Sequence, residues 1–278
     1  MDAHVVALDA ATGKVVWDTK VDEYKNSYYF TLAPLIAKGK VMVGSSGGEF
    51  GIRGYVAALD VETGKEVWRR HMIPGPGEPG NESWPGDTWK TGGVSVWITG
   101  HYDPELNLTF WGTGNPVPMF DPEFRPGDNL FSNSVVAFDI ETGALIWANQ
   151  FQKDTWLLNC DGQESANANC PTKNGPDLDF GSSPILVNLP NGKRALIAGQ
   201  KSGVVHALDP DQQGEVLWQT RIGKGGSLGG PVRRNQTFFF FNYEGNRQTQ
   251  AATRLSSVPQ DAFWKGDFSQ LLARNITL

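Results

Sequence analysis

The stretch ALDVETGKEVW, residues 58–68, decides the fold because it recurs along the chain. The other copies are ALDAATGKVVW at 7–17, AFDIETGALIW at 137–147 and ALDPDQQGEVLW at 207–218, the last with one extra residue and no Thr-Gly pair. Each copy has two short apolar runs around a turn in which glycine can adopt positive φ, a pattern that predicts a β-hairpin. A single hairpin cannot bury its tryptophan, so the copies must stack around a common axis.

The spacing of the copies and the composition both indicate an all-β protein. The four motif tryptophans are 51, 79 and 71 residues apart, which fits propeller blades with loop insertions. The chain contains 33 Gly, 17 Pro and 10 Trp in 278 residues, and glycine and proline at this density punctuate short strands. We therefore expect a β-propeller of about four blades.

Charge and hydropathy exclude two classes of protein. The net charge of −6, from 24 basic and 30 acidic residues, argues against a nucleic-acid partner, which normally meets a clustered basic face. The apolar runs are far shorter than the roughly 18 residues of a spanning helix, so no transmembrane helix is expected.

The two cysteines, Cys160 and Cys170, lie in one polar segment. We predict a disulfide that pins this loop, which implies an oxidising compartment such as the periplasm. The alternative is a pair of unpaired loop thiols. A zinc site is not expected, because no second Cys/His pair follows at ligand spacing.

The repeated A-x-D-x-x-T-G-x-x-x-W motif resembles the tryptophan-docking motif of the quinoprotein alcohol dehydrogenases, eight-bladed propellers that bind pyrroloquinoline quinone (PQQ). The resemblance covers residues 1–230 and implies an incomplete eight-bladed propeller. Met1 precedes the first motif with no signal peptide or earlier blade, so we expect a fragment relative to the family pattern. Residues 1 to about 150 look more like the type-I and quinohaem enzymes, whereas residues 150–230 look more like the polyvinyl-alcohol-dehydrogenase-like members.

The resemblance implies cofactor contacts in the first glycine-rich segment, VGSSGGEFGIRGY. Ser46, Gly47 and Gly48 match cofactor contacts there, and Glu49 matches a calcium ligand. Thr31, in YYFTLAP, matches a threonine that hydrogen-bonds a PQQ carboxylate. From composition alone, the segment would be a glycine-rich hairpin with a solvated Glu49.

Three further segments match the family pattern. By resemblance, Trp97 stacks on the face of PQQ, with Ser95 at the edge of the cofactor; otherwise Trp97 is another buried docking tryptophan. Asn115, in GTGNP, matches a calcium ligand, although Asn between Gly and Pro is usually only a turn former. Lys201 matches the cation at the quinone oxygens, where it would stabilise developing negative charge, and is otherwise a solvated lysine in a turn.

The chain departs from the family pattern at the position of the general base. Methanol-dehydrogenase-like relatives carry it in a D-x-W-D motif, and this chain reads Asp154-Thr155-Trp156-Leu157. Leu157 cannot accept a proton, so Asp154 and Asp161 are the candidate substitutes, although neither stands at the matching place.

The tail, residues 231–278, departs from the propeller pattern. PVRRNQTFFFFNYEG and the VP…AFWKGDFS that follows resemble Oar-like TonB-dependent outer-membrane receptors. One interpretation is a splice between unrelated genes near SLGGP, and the other is an unusual final blade edge. We expect a tail that packs poorly.

The resemblance implies calcium- and PQQ-dependent oxidation of a primary or secondary alcohol in the periplasm. A cytochrome c is the candidate electron acceptor. The alternative is a non-catalytic propeller scaffold for protein partners, which would have no reason to keep the cofactor residues. A third hypothesis, an outer-membrane receptor, is supported only by the sequence of the tail.

Overall fold

The computed structural model describes residues 2–118, 124–152, 178–190 and 192–223, together with two strands at 229–233 and 237–240. Regular structure in these residues consists of β-strands and short 3-10 turns. The all-β prediction is confirmed. No helix in this part of the chain combines the length and the apolar character needed to cross a bilayer.

The first fourteen strands form one two-stranded and three four-stranded antiparallel sheets that follow each other along the chain. We call them blades 1 to 4. Blade 1 contains β1 (His4–Leu8) and β2 (Val15–Lys20). Blade 2 contains β3 (Leu35–Ala37), β4 (Lys40–Gly44), β5 (Tyr55–Asp60) and β6 (Glu66–His71). Blade 3 contains β7 (His101–Asp103), β8 (Leu108–Gly112), β9 (Ser134–Asp139) and β10 (Leu145–Gln150). Blade 4 contains β11 (Ile185–Asn188), β12 (Arg194–Gly199), β13 (Val204–Asp209) and β14 (Glu215–Arg221).

The repeated motif forms the last hairpin of each blade, as predicted. In blade 2, Ala58 on β5 pairs with Trp68 on β6, and a register shift follows toward the turn. The Asp60 carboxylate accepts hydrogen bonds from the Thr63 amide at 2.8 Å and the Thr63 hydroxyl at 2.6 Å. Gly64 closes the turn at φ 69°, where a side chain would be strained.

The core lies between the blades. Three apolar clusters fill the interfaces of blades 1 and 2, 2 and 3, and 3 and 4. Three of the four motif tryptophans, Trp17, Trp68 and Trp147, pack in these clusters. Trp68 from blade 2, for example, packs with Val136 and Phe138 of blade 3. Lys40 of blade 2 also pairs with Glu141 of blade 3. The blades therefore stabilise each other through large side chains that no single sheet could bury.

Two further strands, β15 (Gly229–Arg233) and β16 (Thr237–Phe240), pair with each other as an antiparallel hairpin. Residues 241–278 lie outside the described part of the chain, so the predicted loose packing of the tail stays a prediction.

Candidate functional site

The glycine-rich segment after β4 makes a tight turn that leads into a 3-10 turn, Gly48–Phe50. A Cβ atom built on Gly47, whose φ is 98°, would lie 2.0 Å from the main-chain oxygen of Ser27, so only glycine fits. Glu49 stands in the first turn of this short helix and is exposed. Its carboxylate is therefore accessible to a ligand from outside the protein.

A hydroxyl pair joins this segment to the stretch that carries Trp97. The Thr31 hydroxyl donates to the main-chain oxygen of Trp97 at 3.0 Å and lies 2.7 Å from the Ser46 hydroxyl. Ser46 is also paired with Tyr29 through an isolated antiparallel bridge. Thr31, Ser46 and Trp97, which the sequence singles out from three separate segments, are therefore neighbours.

Ser95 lies in a crevice that two glycines create. A Cβ atom on Gly48 would lie 2.6 Å from the Ser95 hydroxyl oxygen, and one on Gly114 would lie 2.8 Å from it. The Gly114 amide donates to the Ser95 main-chain oxygen at 2.8 Å. Any larger residue at either glycine would displace Ser95, so this crevice requires glycine on both sides.

Asn115 meets the requirement for a metal ligand, because its Oδ1 atom is an unused acceptor. The residue is 4% exposed, and Oδ1 has no hydrogen-bond partner in the part of the chain described here. Buried polar atoms are normally paired, so this amide oxygen is available to a ligand. The main-chain oxygen of Asn115 accepts from Val94 at 2.9 Å, which fixes the residue beside the Ser95 segment. The Glu49 carboxylate and the Asn115 amide oxygen are both hard donors, the type of oxygen that a hard cation prefers.

The remaining ligands of such a cation would come from outside the protein. The described residues contain no group of three or more His, Cys, Asp or Glu side chains arranged to hold a metal. Glu49 and Asn115 alone cannot fill the six to eight positions that calcium takes, so bound cofactor oxygens and water would complete the shell.

Trp97, Asp179 and Lys201 form the charged part of the site. Asp179 Oδ2 accepts from the Trp97 indole at 3.1 Å and from the Lys201 ammonium at 3.1 Å. The same ammonium lies 5.1 Å from the centre of the Trp97 ring, within the range of a cation–π contact. Asp179 is 7% exposed, so this ion pair is largely shielded from water. The arrangement places a cation, a carboxylate and an indole within contact of each other.

An open cavity of about 370 Å³ adjoins Trp97 and Thr31. Its volume falls within the usual range of small-molecule sites. A Cβ atom on Gly181 would make ordinary contacts with the Lys201 chain at 3.4 Å and the Trp97 ring at 3.5 Å, so the glycine lies directly beside both residues. The lining is Thr31, Leu32, Ala33, Trp97, Ile98, Thr99, Gly181, Ser182 and Ser183.

Asp179 is the residue that the sequence reasoning missed. It stands in DLDFGSSP, directly before blade 4, and that segment was a recognisable part of the family resemblance. The sequence feature that could have identified Asp179 is a carboxylate followed by Phe-Gly just before the first strand of a blade. Only Asp154 and Asp161 were considered as the general base. Those two residues, together with Leu157, Cys160 and Cys170, lie outside the described residues. Their predicted roles and the predicted disulfide remain predictions.

Comparison with known proteins identifies two families. Residues 19–224 match the family described as glucose/ethanol/alcohol dehydrogenase, beta-propeller domain, whose short name is PQQ. Residues 220–277 match the family described as outer membrane beta barrel domain. The second match confirms that the tail resembles an outer-membrane protein rather than a propeller blade.

Individual relatives agree with the first family. The chain is 42% identical over 163 residues to quinoprotein alcohol dehydrogenase PedH of Pseudomonas putida, covering 53% of this chain and 27% of the relative. It is 35% identical over 238 residues to polyvinylalcohol dehydrogenase of a Pseudomonas species, covering 81% of this chain and 35% of the relative. The longer second match confirms the expected similarity to polyvinyl-alcohol-dehydrogenase-like members.

Solved structures agree as well. A europium-containing methanol dehydrogenase superposes with a TM-score of 0.66 at 32% identity, covering 80% of this chain and 38% of that one. The chain thus spans about a quarter to a third of the curated relatives described above. The partial-propeller prediction is confirmed.

Proposed function

Since the chain belongs to the β-propeller family of PQQ-dependent glucose, ethanol and alcohol dehydrogenases, we propose that its site binds PQQ and a calcium ion and serves the oxidation of a primary or secondary alcohol. The observation that carries this proposal is the contact of Trp97, Asp179 and Lys201 beside an open cavity. A scaffold that binds only protein partners would gain nothing from a buried ion pair at such a cavity.

The proposed cofactor contacts follow from the residues that the structure brings together. Trp97 offers a flat ring for stacking, and Thr31 and Ser46 offer hydroxyls next to it. Ser95, 6% exposed and held between Gly48 and Gly114, offers a third hydroxyl two residues from Trp97. PQQ, when bound, supplies the quinone that accepts hydride from the alcohol.

The protein residues supply orientation and charge. Lys201 places a positive charge beside the Trp97 face, where it can stabilise negative charge that develops on a ligand stacked there. Asp179 provides the carboxylate that we assign as the acceptor of the alcohol proton, in place of Asp154 or Asp161. The same carboxylate orients both Trp97 and Lys201, because Oδ2 accepts from each of them.

Calcium is the metal that we propose for Glu49 and Asn115. These residues provide one charged and one neutral oxygen, and the low ligand charge suits a divalent ion better than a trivalent one. Because one relative contains europium, a trivalent lanthanide, the test must compare calcium with a lanthanide. We also propose a periplasmic location, supported by the family resemblance and by the cysteine pair in its polar loop. The family resemblance also supports a cytochrome c as the electron acceptor.

The test is a PQQ titration monitored by quenching of tryptophan fluorescence, with and without calcium and with a lanthanide in its place. We expect calcium to tighten PQQ binding, and Asn115→Ala or Glu49→Ala to remove that effect. Glu62→Ala, which changes an exposed carboxylate in the turn of blade 2, is the matched control. A PQQ affinity that is unchanged by calcium and by both ligand substitutions would contradict the metal assignment.

Absence of PQQ binding in every condition would contradict the proposed site in this chain. A dye-linked alcohol oxidation assay then measures activity. We expect very little turnover, because the chain spans only about a third of its relatives.

A further inference from the structure

Two adjacent tyrosines, Tyr28 and Tyr29, stand between blades 1 and 2 and face opposite sides of their segment. The Tyr28 hydroxyl accepts a hydrogen bond from the Arg53 amide at 3.0 Å. The Tyr28 ring lies 5.7 Å from the Tyr55 ring, in the apolar cluster between these blades. Successive side chains of an extended backbone alternate in direction, so Tyr29 faces away from this core.

The β-bridge between Tyr29 and Ser46 identifies the side to which Tyr29 points. The two residues are antiparallel bridge partners, and the Ser46 amide donates to the Tyr29 main-chain oxygen at 2.8 Å. Side chains directly opposite each other in such a pair lie on the same face. On that face the Ser46 hydroxyl lies 2.7 Å from the Thr31 hydroxyl, which itself donates to Trp97. Tyr29 is therefore on the face of the proposed cofactor site.

The Tyr29 ring lies against the glycine turn of this site. A Cβ atom built on Gly47 would lie 3.3 Å from Cε1 of Tyr29, a tight carbon–carbon contact. Because Gly47 has no side chain, the ring can approach the turn that leads to Glu49. The ring thus borders the segment from Ser46 to Glu49.

The Tyr29 hydroxyl is an unused hydrogen-bond donor. The side chain is half-buried, and its hydroxyl has no hydrogen-bond partner among the residues that the structure describes. Burial, and after it the negative charge of Glu49, raises the pKa of Tyr29, so the hydroxyl keeps its proton at neutral pH. A protonated phenol can donate one hydrogen bond, and Tyr29 has this donor available beside Glu49.

We propose that Tyr29 is a further cofactor-binding residue, an assignment that rests on the function proposed above, and that its hydroxyl donates a hydrogen bond to an oxygen of bound PQQ. A hydrogen bond to an ionised oxygen is stronger than one between neutral groups, and PQQ carries carboxylates. Together with Thr31 and Ser46, Tyr29 supplies three hydroxyls on one face beside Trp97.

The experiment measures the PQQ affinity of the intact chain by quenching of tryptophan fluorescence across a series of calcium concentrations. Tyr29→Phe keeps the ring against Gly47 and removes only the hydroxyl. We expect binding about tenfold weaker than in the wild-type chain, the loss typical of one hydrogen bond to a charged acceptor. The ratio of the two affinities should be the same at every calcium concentration, because the lost contact is to the cofactor itself.

Tyr28→Phe is the matched control, because it removes the neighbouring hydroxyl on the opposite face. We expect its PQQ affinity to equal that of the wild-type chain, and circular dichroism verifies that both variants fold. An equal loss in Tyr28→Phe and Tyr29→Phe would overturn the assignment, since the effect would then belong to the fold and not to the contact.

The remaining outcomes separate this contact from the proposed function. Equal affinities of the wild-type chain and Tyr29→Phe would overturn the Tyr29 contact and leave the proposed function standing. A loss that grows with calcium would also overturn it, because Tyr29 would then act through Glu49 and the metal. A wild-type chain that binds no PQQ would contradict the proposed function and this contact with it.

Discussion

Replacing Trp68 with alanine tests whether inter-blade docking holds the propeller together. The side chain is 8% exposed, and its indole donates to the Ile140 main-chain oxygen of the next blade at 2.9 Å. Truncation removes the apolar contact and the hydrogen bond, and it leaves a cavity against Gly143. Buried tryptophan-to-alanine changes cost about 3–5 kcal/mol, and we expect a loss of stability in that range.

The matched comparison is Trp218→Ala, the same change at the end of the blade series. Because Trp218 is 45% exposed, we expect a loss of at most about 0.5–1 kcal/mol. Both variants are unfolded in urea at the same protein concentration and followed by circular dichroism. Equal losses for Trp68→Ala and Trp218→Ala would refute the reasoning, since docking would then contribute nothing.

Three further outcomes are expected. Gly143→Ala should destabilise the chain by about 1–3 kcal/mol more than Gly39→Ala, because both have φ 69° but only the former meets a docked indole; urea unfolding measures the difference. Gly48→Ala should weaken PQQ binding in the fluorescence titration, because its Cβ atom would lie 2.6 Å from the Ser95 hydroxyl; unchanged affinity would remove Ser95 from the site. Burial lowers the pKa of His206 to about 4, below its unfolded value of 6.5, so this residue should remove about 3 kcal/mol of stability as pH drops from 6.5 to 4. Burial also lowers the pKa of His71 to about 4, so the measurement is the difference between the wild-type chain and His206→Met; equal falls in urea midpoint would contradict this.

The blade hairpins could be predicted from sequence because their determinants are local. The Asp60 cap, the Thr63 amide and Gly64 stand within five residues, and the same spacing repeats at Asp139, Thr142 and Gly143. Local turn chemistry and a bulky apolar residue at a fixed distance therefore made the hairpins predictable.

The site was only partly predictable, because it joins distant segments. Family resemblance gave Thr31, Ser46 and Trp97, and the structure places these three in contact. Asp179 was missed because its role depends on contacts with Trp97, 82 residues earlier, and Lys201, 22 residues later. No local pattern around Asp179 shows that both donors converge on one carboxylate oxygen; the stacking of blades 2, 3 and 4 determines it.

The most direct test of the proposed site is a crystal structure of the chain with PQQ and calcium. The account predicts a metal peak bound by the Glu49 carboxylate and Asn115 Oδ1, and a quinone stacked on Trp97 within reach of Lys201. A metal bound elsewhere, or a quinone that does not contact the Trp97 ring, would contradict it.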